Sequence, residues 1–293
     1  MNDTSDTAVH DTPVSAAALP RDDGLGEITR KTFWEANEPH ALGAGFIVVF
    51  LLIWEAVPHV LKLSRGMDLF FTTPSQIFAT LWELFETGTI WPALEFSATA
   101  FTVGLVLSIV AALPLGVVIG RSQTLNAMLD PFVTAFNATP RLVFLPIILV
   151  WFGIGMWSVV LVVFIGAVFP LLINTYAGVR NADKLLINVV RSFGASEWQI
   201  NKLVVLPNSL PFIIAGLRLA IGRAILGIVV AEFFGGSAEG VGVMMNDAAG
   251  KFQVDIVFAG LIIFMSISLV MVGFVKVLEA RLSRWRPENV KSF

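Results

Sequence analysis

The sequence predicts an all-α fold, a polytopic membrane bundle of about six transmembrane helices. Of the 293 residues, 56% are hydrophobic and only 14% are charged, and the mean hydropathy is +0.80. Soluble domains contain about 45–50% apolar and about 25% charged residues. Because each span needs about 20 apolar residues, the chain has room for about six spans and for no second large soluble domain.

The first 40 residues are polar and acidic. They lack the positive start and the immediate apolar core of a cleavable signal peptide. We therefore expect a flexible cytoplasmic tail over residues 1–40, a membrane domain over 41–280 and a second cytoplasmic tail over 281–293.

Six apolar stretches are long enough to cross a hydrocarbon layer of about 30 Å. They cover residues 41–58, 94–119, 128–153, 157–177, 209–234 and 256–278. Between the first two, the run from Ser75 to Phe85 has the amphipathic pattern typical of a short helix on the membrane surface. Gly116 and Gly120 form a small-residue pair that allows a neighbouring helix to approach closely.

The distribution of Lys and Arg predicts the orientation. If both termini are cytoplasmic, most of these residues fall in inner segments, with Arg121 and Arg141 assigned to the connection between the second and third spans. The outer connections then hold only Lys62, Arg65 and Lys251. Cytoplasmic connections carry such an excess of positive residues, so we expect a multi-pass protein with both termini inside.

Motifs for catalysis or nucleotide binding are missing from the sequence. Gly250 and Lys251 are followed by Phe252, where a phosphate-binding loop needs Ser or Thr. No Ser–His–Asp, zinc-binding or paired-carboxylate pattern occurs, and the chain has no Cys. We expect no catalytic residue, no metal and no cofactor in this chain, and no nucleic-acid partner.

The connection between the fourth and fifth spans, residues 180–209, is polar enough to leave the membrane yet patterned as helix. Gly194 breaks the run, and Ser196 is placed to cap a second short helix that ends before Pro207. The prediction is a pair of short helices with a sharp turn, projecting from the membrane.

This connection resembles the cytoplasmic signature of the permeases of ATP-binding-cassette importers, which reads Glu-Ala-Ala, three residues, Gly, nine residues, Ile, one residue, Leu-Pro. Gly194, Leu206 and Pro207 match it in register, and Val204 is a conservative change. The leading triplet is Asn188-Val189-Val190, so an amide stands where the family has an acid. The blocks Gly194-Ala195-Ser196, Trp198-Gln199, Gly216-Leu217-Arg218-Leu219 and Phe152-Gly153-Ile154-Gly155 are similar to the branch that imports nitrate, sulfonates and taurine.

The resemblance implies a type I importer fold in the bacterial inner membrane. It also implies three protein partners: a separate ATPase that binds the ATP, a second permease copy that completes a homodimer, and an external solute-binding protein. The residues that it implies for coupling to the ATPase are Asn188, Val189, Val190, Gly194, Ala195, Ser196, Leu206 and Pro207. The solute itself is not specified, but the branch points to a small anion of the nitrate, sulfonate or taurine type.

An ion-coupled secondary carrier or a channel is the alternative reading of the composition. A carrier has no evident need for the 180–209 projection, and the spans hold few acids for a proton or sodium relay. The importer permease is therefore the favoured interpretation.

Arg223 lies about halfway along the fifth apolar stretch, where an arginine costs about 2.5–3.5 kcal/mol on insertion scales. One interpretation pairs it with Glu232 or Glu95, or with carbonyl groups freed near a proline of another span. The other places Arg223 on the translocation path, where it attracts an anion. Arg218 is a second path candidate, although its side chain can also reach the headgroups from its position nearer the cytoplasm.

Overall fold

The computed structural model describes residues 33–60 and 71–282. Residues 1–32 of the predicted N-terminal tail, the segment 61–70 with Lys62 and Arg65, and residues 283–293 of the predicted C-terminal tail lie outside the described residues. The chain divides into two compact units, residues 1–52 and residues 53–293. The second unit contains every helix after the first and all the candidate site residues.

Every regular element within the described ranges is helical. The helices are α1 Phe33–Val60, α2 Pro74–Glu86, α3 Ile90–Arg121, α4 Gln123–Ala138, α5 Leu145–Phe152, α6 Met156–Arg180, α7 Lys184–Ser192, α8 Glu197–Ile200, α9 Leu206–Phe233, α10 Val241–Gly250 and α11 Val254–Leu282. A 3-10 turn, Arg141–Phe144, precedes α5, and a π-helical turn, Asn201–Val205, joins α8 to α9. The all-α prediction is confirmed.

By length and composition, five helical stretches of the described chain can cross a membrane: Ala41–Pro58, Ile90–Arg121, Met156–Arg180, Glu197–Phe233 and Val254–Leu282. The number rises to 6 if the bent pair Gln123–Ala138 and Arg141–Phe152 is one span. The predicted six spans are therefore all found as helix, but the third differs in shape.

The third predicted span, 128–153, is not one straight helix. The chain bends by 95° between α4 and the segment that follows it. Thr139 and Pro140 are extended at the bend. A residue before proline disfavours the helical region, and proline cannot donate a backbone hydrogen bond, so the break falls where these two meet. A hydropathy window misses it because the two segments, averaged together, are apolar enough to cross a membrane.

The helix that starts at Ser196 does not end before Pro207, so that boundary prediction is wrong. Glu197–Phe233 runs as one helical stretch through the π-helical turn. Pro207 lies in the first turn of α9 that follows the π turn. Proline has no backbone N–H, and in the first turn of a helix the N–H groups have no partner in that helix. The change from π-helical to α-helical hydrogen bonding falls at this point, so the helix continues past the proline.

Helix α6 is the centre of the bundle and lies between α3 and α9. It is buried along most of its length, including Val159, Val163, Leu171 and Thr175. Small residues of α3 let the two helices approach, and the predicted pair Gly116 and Gly120 faces α6 directly. Helices within a membrane associate through such close packing, because moving an apolar side chain from lipid into a helix contact yields little hydrophobic free energy.

The predicted amphipathic helix between the first two spans is α2. Thr73 caps it, with a reciprocal bond between the Gln76 side chain and the Thr73 backbone N–H of 3.1 Å. Thr80 donates to Asp255 Oδ2 at 2.7 Å, which joins α2 to the start of α11. This bond, together with the buried side chain of Ile77, fixes α2 against the bundle.

Candidate functional site

The segment predicted to couple to an ATPase, residues 180–209, is called here the coupling segment. Asp183 caps α7, and its Oδ1 accepts from the N–H of Leu185 at 2.7 Å. Helix α7 has a strongly one-sided distribution of apolar residues, and none of its residues is fully buried. Helix α7 therefore lies on the surface of the bundle, held through one edge.

Gly194 makes the turn between α7 and α8. Its φ is +82°, which a residue with a Cβ rarely adopts, and an added Cβ would meet nothing within 4 Å. The backbone angle alone therefore favours glycine here. Ser196 caps α8, and its N–H donates to Gln199 Oε1 at 2.8 Å. The structure has the predicted break at Gly194 and the predicted cap at Ser196.

A small apolar cluster anchors the coupling segment. Its buried members are Val179, Ala182, Ile200 and Val205. Val190 and Ala195, two residues of the predicted coupling set, are partly buried against it. Leu206 and Pro207 open α9 beyond the π turn, so the segment joins a membrane helix without a flexible joint. Helix α8 is therefore continuous with α9 through the π turn.

The outer face of the coupling segment is apolar and exposed. Leu185, Phe193 and Trp198 are 70%, 87% and 73% exposed. Large apolar side chains facing lipid are ordinary in a membrane protein, but Leu185 and Phe193 lie on the polar connection before the fifth span. An apolar patch exposed at such a place marks a protein contact surface.

An ion-pair triad ties the segment to α3. Glu197 bonds Arg191 at 2.9 Å and also pairs with Arg121 at the end of α3. Because Glu197 and Arg191 are exposed, solvent screens these pairs and the triad adds little to stability. Its effect is to orient α7 and α8 relative to α3. The sequence does not predict this triad, because Arg121 is 76 residues away from Glu197 along the chain.

Asn188 lies on the wall of an open cavity of about 500 Å³ between the ends of α3 and α6 and helix α7. The charged residues lining this cavity are all positive: Arg121, Arg180, Lys184 and Arg191. An acid at position 188, as in the family signature, would partly neutralise these charges. Asn188 leaves the wall positive.

The two arginines predicted for the translocation path have different surroundings. Arg218 donates to Glu279 Oε2 at 2.7 Å, which joins α9 to α11. Arg223 has no carboxylate within ion-pair distance among residues 33–60 and 71–282. Instead, Nη1 of Arg141 donates to the backbone carbonyl of Arg223 at 3.3 Å. Arg141 is therefore beside α9, and its assignment to the inner connection is wrong.

The predicted partner of Arg223, Glu232, is engaged elsewhere. Glu232 is buried, and its Oε1 accepts from the Ser97 hydroxyl at 2.7 Å while its Oε2 accepts from the N–H of Gly242 at 2.7 Å. The N–H of Val241 donates to Ser97 Oγ at 3.0 Å. This network joins α3, α9 and the start of α10, and it satisfies two backbone donors that the first turn of α10 would otherwise leave unpaired.

Over residues 104–284, the chain matches the family described as the inner membrane component of binding-protein-dependent transport systems. The chain belongs to this family. The match begins within α3 and includes the coupling segment, α9 and α11. The protein is therefore a transport permease and not an enzyme, and an ion-coupled carrier is not favoured.

Two relatives and one solved structure agree with this assignment. The permease is 34% identical over 272 residues to the putative aliphatic sulfonates transport permease protein SsuC of Bacillus subtilis, covering 93% of this chain and 96% of the relative. It is 29% identical over 260 residues to the taurine transport permease TauC of Escherichia coli, covering 87% and 93%. Its fold is similar to the MetNI methionine ABC transporter, with a TM-score of 0.56 and 18% identity over 66% of this chain and 94% of that one.

The described part of the permease contains no group of three or more His, Asp or Glu residues arranged to hold a metal ion. Besides the Arg218–Glu279 pair, three arrangements of its charged groups bear on the site: the surface triad at Glu197, the buried network at Glu232, and Arg141 and Arg223 in the membrane interior. The first orients the coupling segment, the second fixes the start of α10, and the third lacks a compensating acid within the described ranges.

Proposed function

We propose that this permease forms one half of a homodimeric ABC importer that carries a small anionic solute across the bacterial inner membrane. A separate ATPase binds the ATP and docks on the coupling segment, and an external binding protein delivers the solute. Both termini face the cytoplasm, as the coupling segment does. The supporting observation is the coupling segment itself, a rigidly anchored pair of helices with an exposed apolar face.

The proposed docking surface consists of the exposed side chains of the coupling segment. Leu185, Phe193 and Trp198 form its apolar part, and Asn188 and Val189 lie beside them on α7. The positive cavity next to Asn188 favours a partner surface that contributes an acidic group there, because the family's acid is replaced by an amide. The contacts of this permease with its ATPase would then reverse the charge used at that position in the family signature.

The translocation path is proposed along the exposed face of α9. This face contains Leu219, Gly222, Arg223 and Leu226, spaced as one stripe of a helix. An arginine at this depth cannot face lipid tails at a low cost, so the stripe faces a second copy or a water-filled path. Of the two path candidates, Arg223 then lines the path, and Arg218 supports it through the bond to Glu279.

The solute class is inferred from the relatives together with this charge. SsuC and TauC are described as permeases for aliphatic sulfonates and for taurine, and both solutes carry a sulfonate group. An unpaired arginine on the path is suited to such a group, because a guanidinium binds oxyanions through paired hydrogen bonds. The proposed solute is therefore a small organic anion.

The coupling proposal is tested by Gly194→Val. Valine at φ +82° is strained by roughly 1–2 kcal/mol, so the turn should open and misdirect α7. We expect ATP-driven uptake in proteoliposomes to fall at least about tenfold, while the amount of membrane-inserted protein is unchanged. Co-purification of the ATPase with the detergent-solubilised permease should fall in parallel.

Gly194→Asn is the matched control, because asparagine tolerates the left-handed region and the site has space for a side chain. It should retain most of the uptake and most of the bound ATPase. If Gly194→Val couples as well as Gly194→Asn, the turn does not direct the docking of the ATPase.

A further inference from the structure

The region between the bend of the third span and the middle of α9 brings together two arginines, Arg141 and Arg223. Arg141 belongs to the 3-10 turn that follows the bend, and its Nη1 donates to the carbonyl of Arg223 at 3.3 Å. The Arg141 guanidinium therefore lies against the backbone of Arg223. Among the described residues, neither has a carboxylate within ion-pair distance.

Both arginines lie near the centre of the membrane. Arg223 is about ten residues, or about 15 Å, from the end of α9 at Phe233. Gly166, which touches Arg141, is about ten residues from the start of α6 at Met156. These two helix ends are adjacent, since the N–H of Gly155 donates to the carbonyl of Gly236 at 2.9 Å. A depth of about 15 Å is half of a hydrocarbon core of about 30 Å.

Gly166 explains how Arg141 reaches this depth. A Cβ added to Gly166 would lie 3.3 Å from both Cδ and Nε of Arg141 and 3.0 Å from the carbonyl oxygen of Arg223. The arginine side chain therefore passes α6 at a position where no side chain obstructs it. A larger residue at position 166 would crowd the Arg141 side chain and the carbonyl oxygen of Arg223.

The bend that carries Arg141 is held rigidly. The ring of Phe136, before the bend, stacks on Phe144, after it, with ring centres 6.1 Å apart. It also stacks on Phe169 of α6 at 5.7 Å. Leu145 is almost fully buried. A charged group on such a rigid support is preorganised for a ligand. The entropy cost of fixing its position is offset by packing before the ligand binds.

We propose that Arg141 and Arg223 together form a binding site for a singly charged oxyanion group of the sulfonate class at the centre of the membrane. This inference rests on the proposed function, since it names the point on the path where the solute is held. Two guanidinium groups surround one anionic group and leave the site with a net positive charge. That residual positive charge attracts the anion into the site. The bound anion in turn screens the two positive charges from each other. Space for the ligand exists beside Arg223, because a Cβ added to Gly222 meets nothing within 4 Å.

The test measures binding to the full-length permease purified with its ATPase in nanodiscs of neutral phosphatidylcholine, without nucleotide. The probe is ethanesulfonate, titrated at constant chloride and followed by calorimetry. Ethanesulfonamide, which has nearly the same shape and no charge, is the matched ligand control. Arg141→Gln and Arg223→Gln are compared with Arg281→Gln, which removes an exposed arginine near the end of α11.

We expect saturable binding of ethanesulfonate to the wild type and to Arg281→Gln, and no saturable binding of ethanesulfonamide. Each of the other two variants should bind at least about tenfold more weakly, because each loses charge-assisted hydrogen bonds. Equal binding by Arg141→Gln and Arg281→Gln, or equal binding of the two probes by the wild type, would overturn the proposal.

If the glutamine variants fail to assemble, Arg141→Lys and Arg223→Lys decide the question. Lysine preserves the charge but lacks the planar fork, so binding should weaken at least about threefold in assembled protein. Unchanged affinity in both lysine variants contradicts the proposal. Retention of the ATPase and basal ATP hydrolysis, measured on the same samples, report on the proposed function separately. Loss of these in the wild type would reject the importer assignment whatever the binding curve shows.

Discussion

Replacing Gly116 with valine is expected to remove most of the folded permease from the membrane. The Cβ of a residue at 116 would lie 2.6 Å from Cβ and Cγ2 of Thr175, a buried residue in the last third of α6. Helix α6 cannot move aside, because it also packs against α9. Overpacking of this kind costs about 1–3 kcal/mol for one or two methyl groups and more when backbones must separate. We expect a loss of about 3 kcal/mol or more.

The matched control is Gly273→Val. Gly273 is in the middle of α11, and a Cβ added there meets nothing within 4 Å. Both variants make the same change inside a span, so they differ only in what surrounds the site. Thermal unfolding and the yield of monodisperse protein in detergent distinguish them, and similar values for the two would show that α3 and α6 are not held as closely as described.

The same argument extends along α3. A Cβ at Gly104 or at Gly120 would approach Val160 O or Tyr176 O, in both cases to 2.9 Å. Close contacts thus repeat along the α3–α6 interface, and the hydroxyl of Ser108 donates to Phe164 O at 3.1 Å between them. The sequence identified only the pair Gly116 and Gly120, because the positions of Gly104 and Ser108 gain meaning only once α6 is known to lie opposite.

The sequence predicted the membrane class, the positions of the spans and the turn of the coupling segment, because each depends on local composition or on one residue with a particular backbone requirement. Gly194 is the clearest example, since its positive φ is a local property. The bend at Thr139 and Pro140 was not predicted. The two segments together are apolar enough to cross a membrane, and a proline within a span is equally compatible with a modest kink.

The charged residues inside the membrane were harder to assign. Arg141 was assigned to an inner connection by the count of positive residues, although position 141 lies within the predicted third span. The suggested pairing of Arg223 with Glu232 could have been rejected from the sequence, since nine residues are two and a half helical turns and put the two side chains on opposite faces of α9. The partners that Glu232 does have, on α3 and α10, depend on tertiary contacts that no local pattern contains.

Glu232→Ala is expected to destabilise the folded permease strongly, as Gly116→Val does. Its carboxyl group accepts two hydrogen bonds of 2.7 Å in a buried site, from the Ser97 hydroxyl and from the N–H of Gly242. Alanine leaves both donors without an acceptor and creates a cavity under the start of α10. Hydrogen bonds to charged or buried acceptors contribute about 1.5–3 kcal/mol each, so we expect the free energy of unfolding to fall by roughly 3–5 kcal/mol.

Three further variants separate the network from a general effect of removing an acid. Glu239→Ala removes an exposed glutamate of the same connection and should change stability by less than about 0.5 kcal/mol. Glu232→Gln keeps the shape and one acceptor oxygen, but its NH2 group faces one of the two donors. Its loss of stability should therefore lie between those of Glu232→Ala and Glu239→Ala. Ser97→Ala breaks the same network from α3, and combining it with Glu232→Ala should cost clearly less than the sum of the two. Additive losses in this cycle, or equal melting temperatures for Glu232→Ala and Glu239→Ala, would mean that Glu232 does not hold α3, α9 and α10 together.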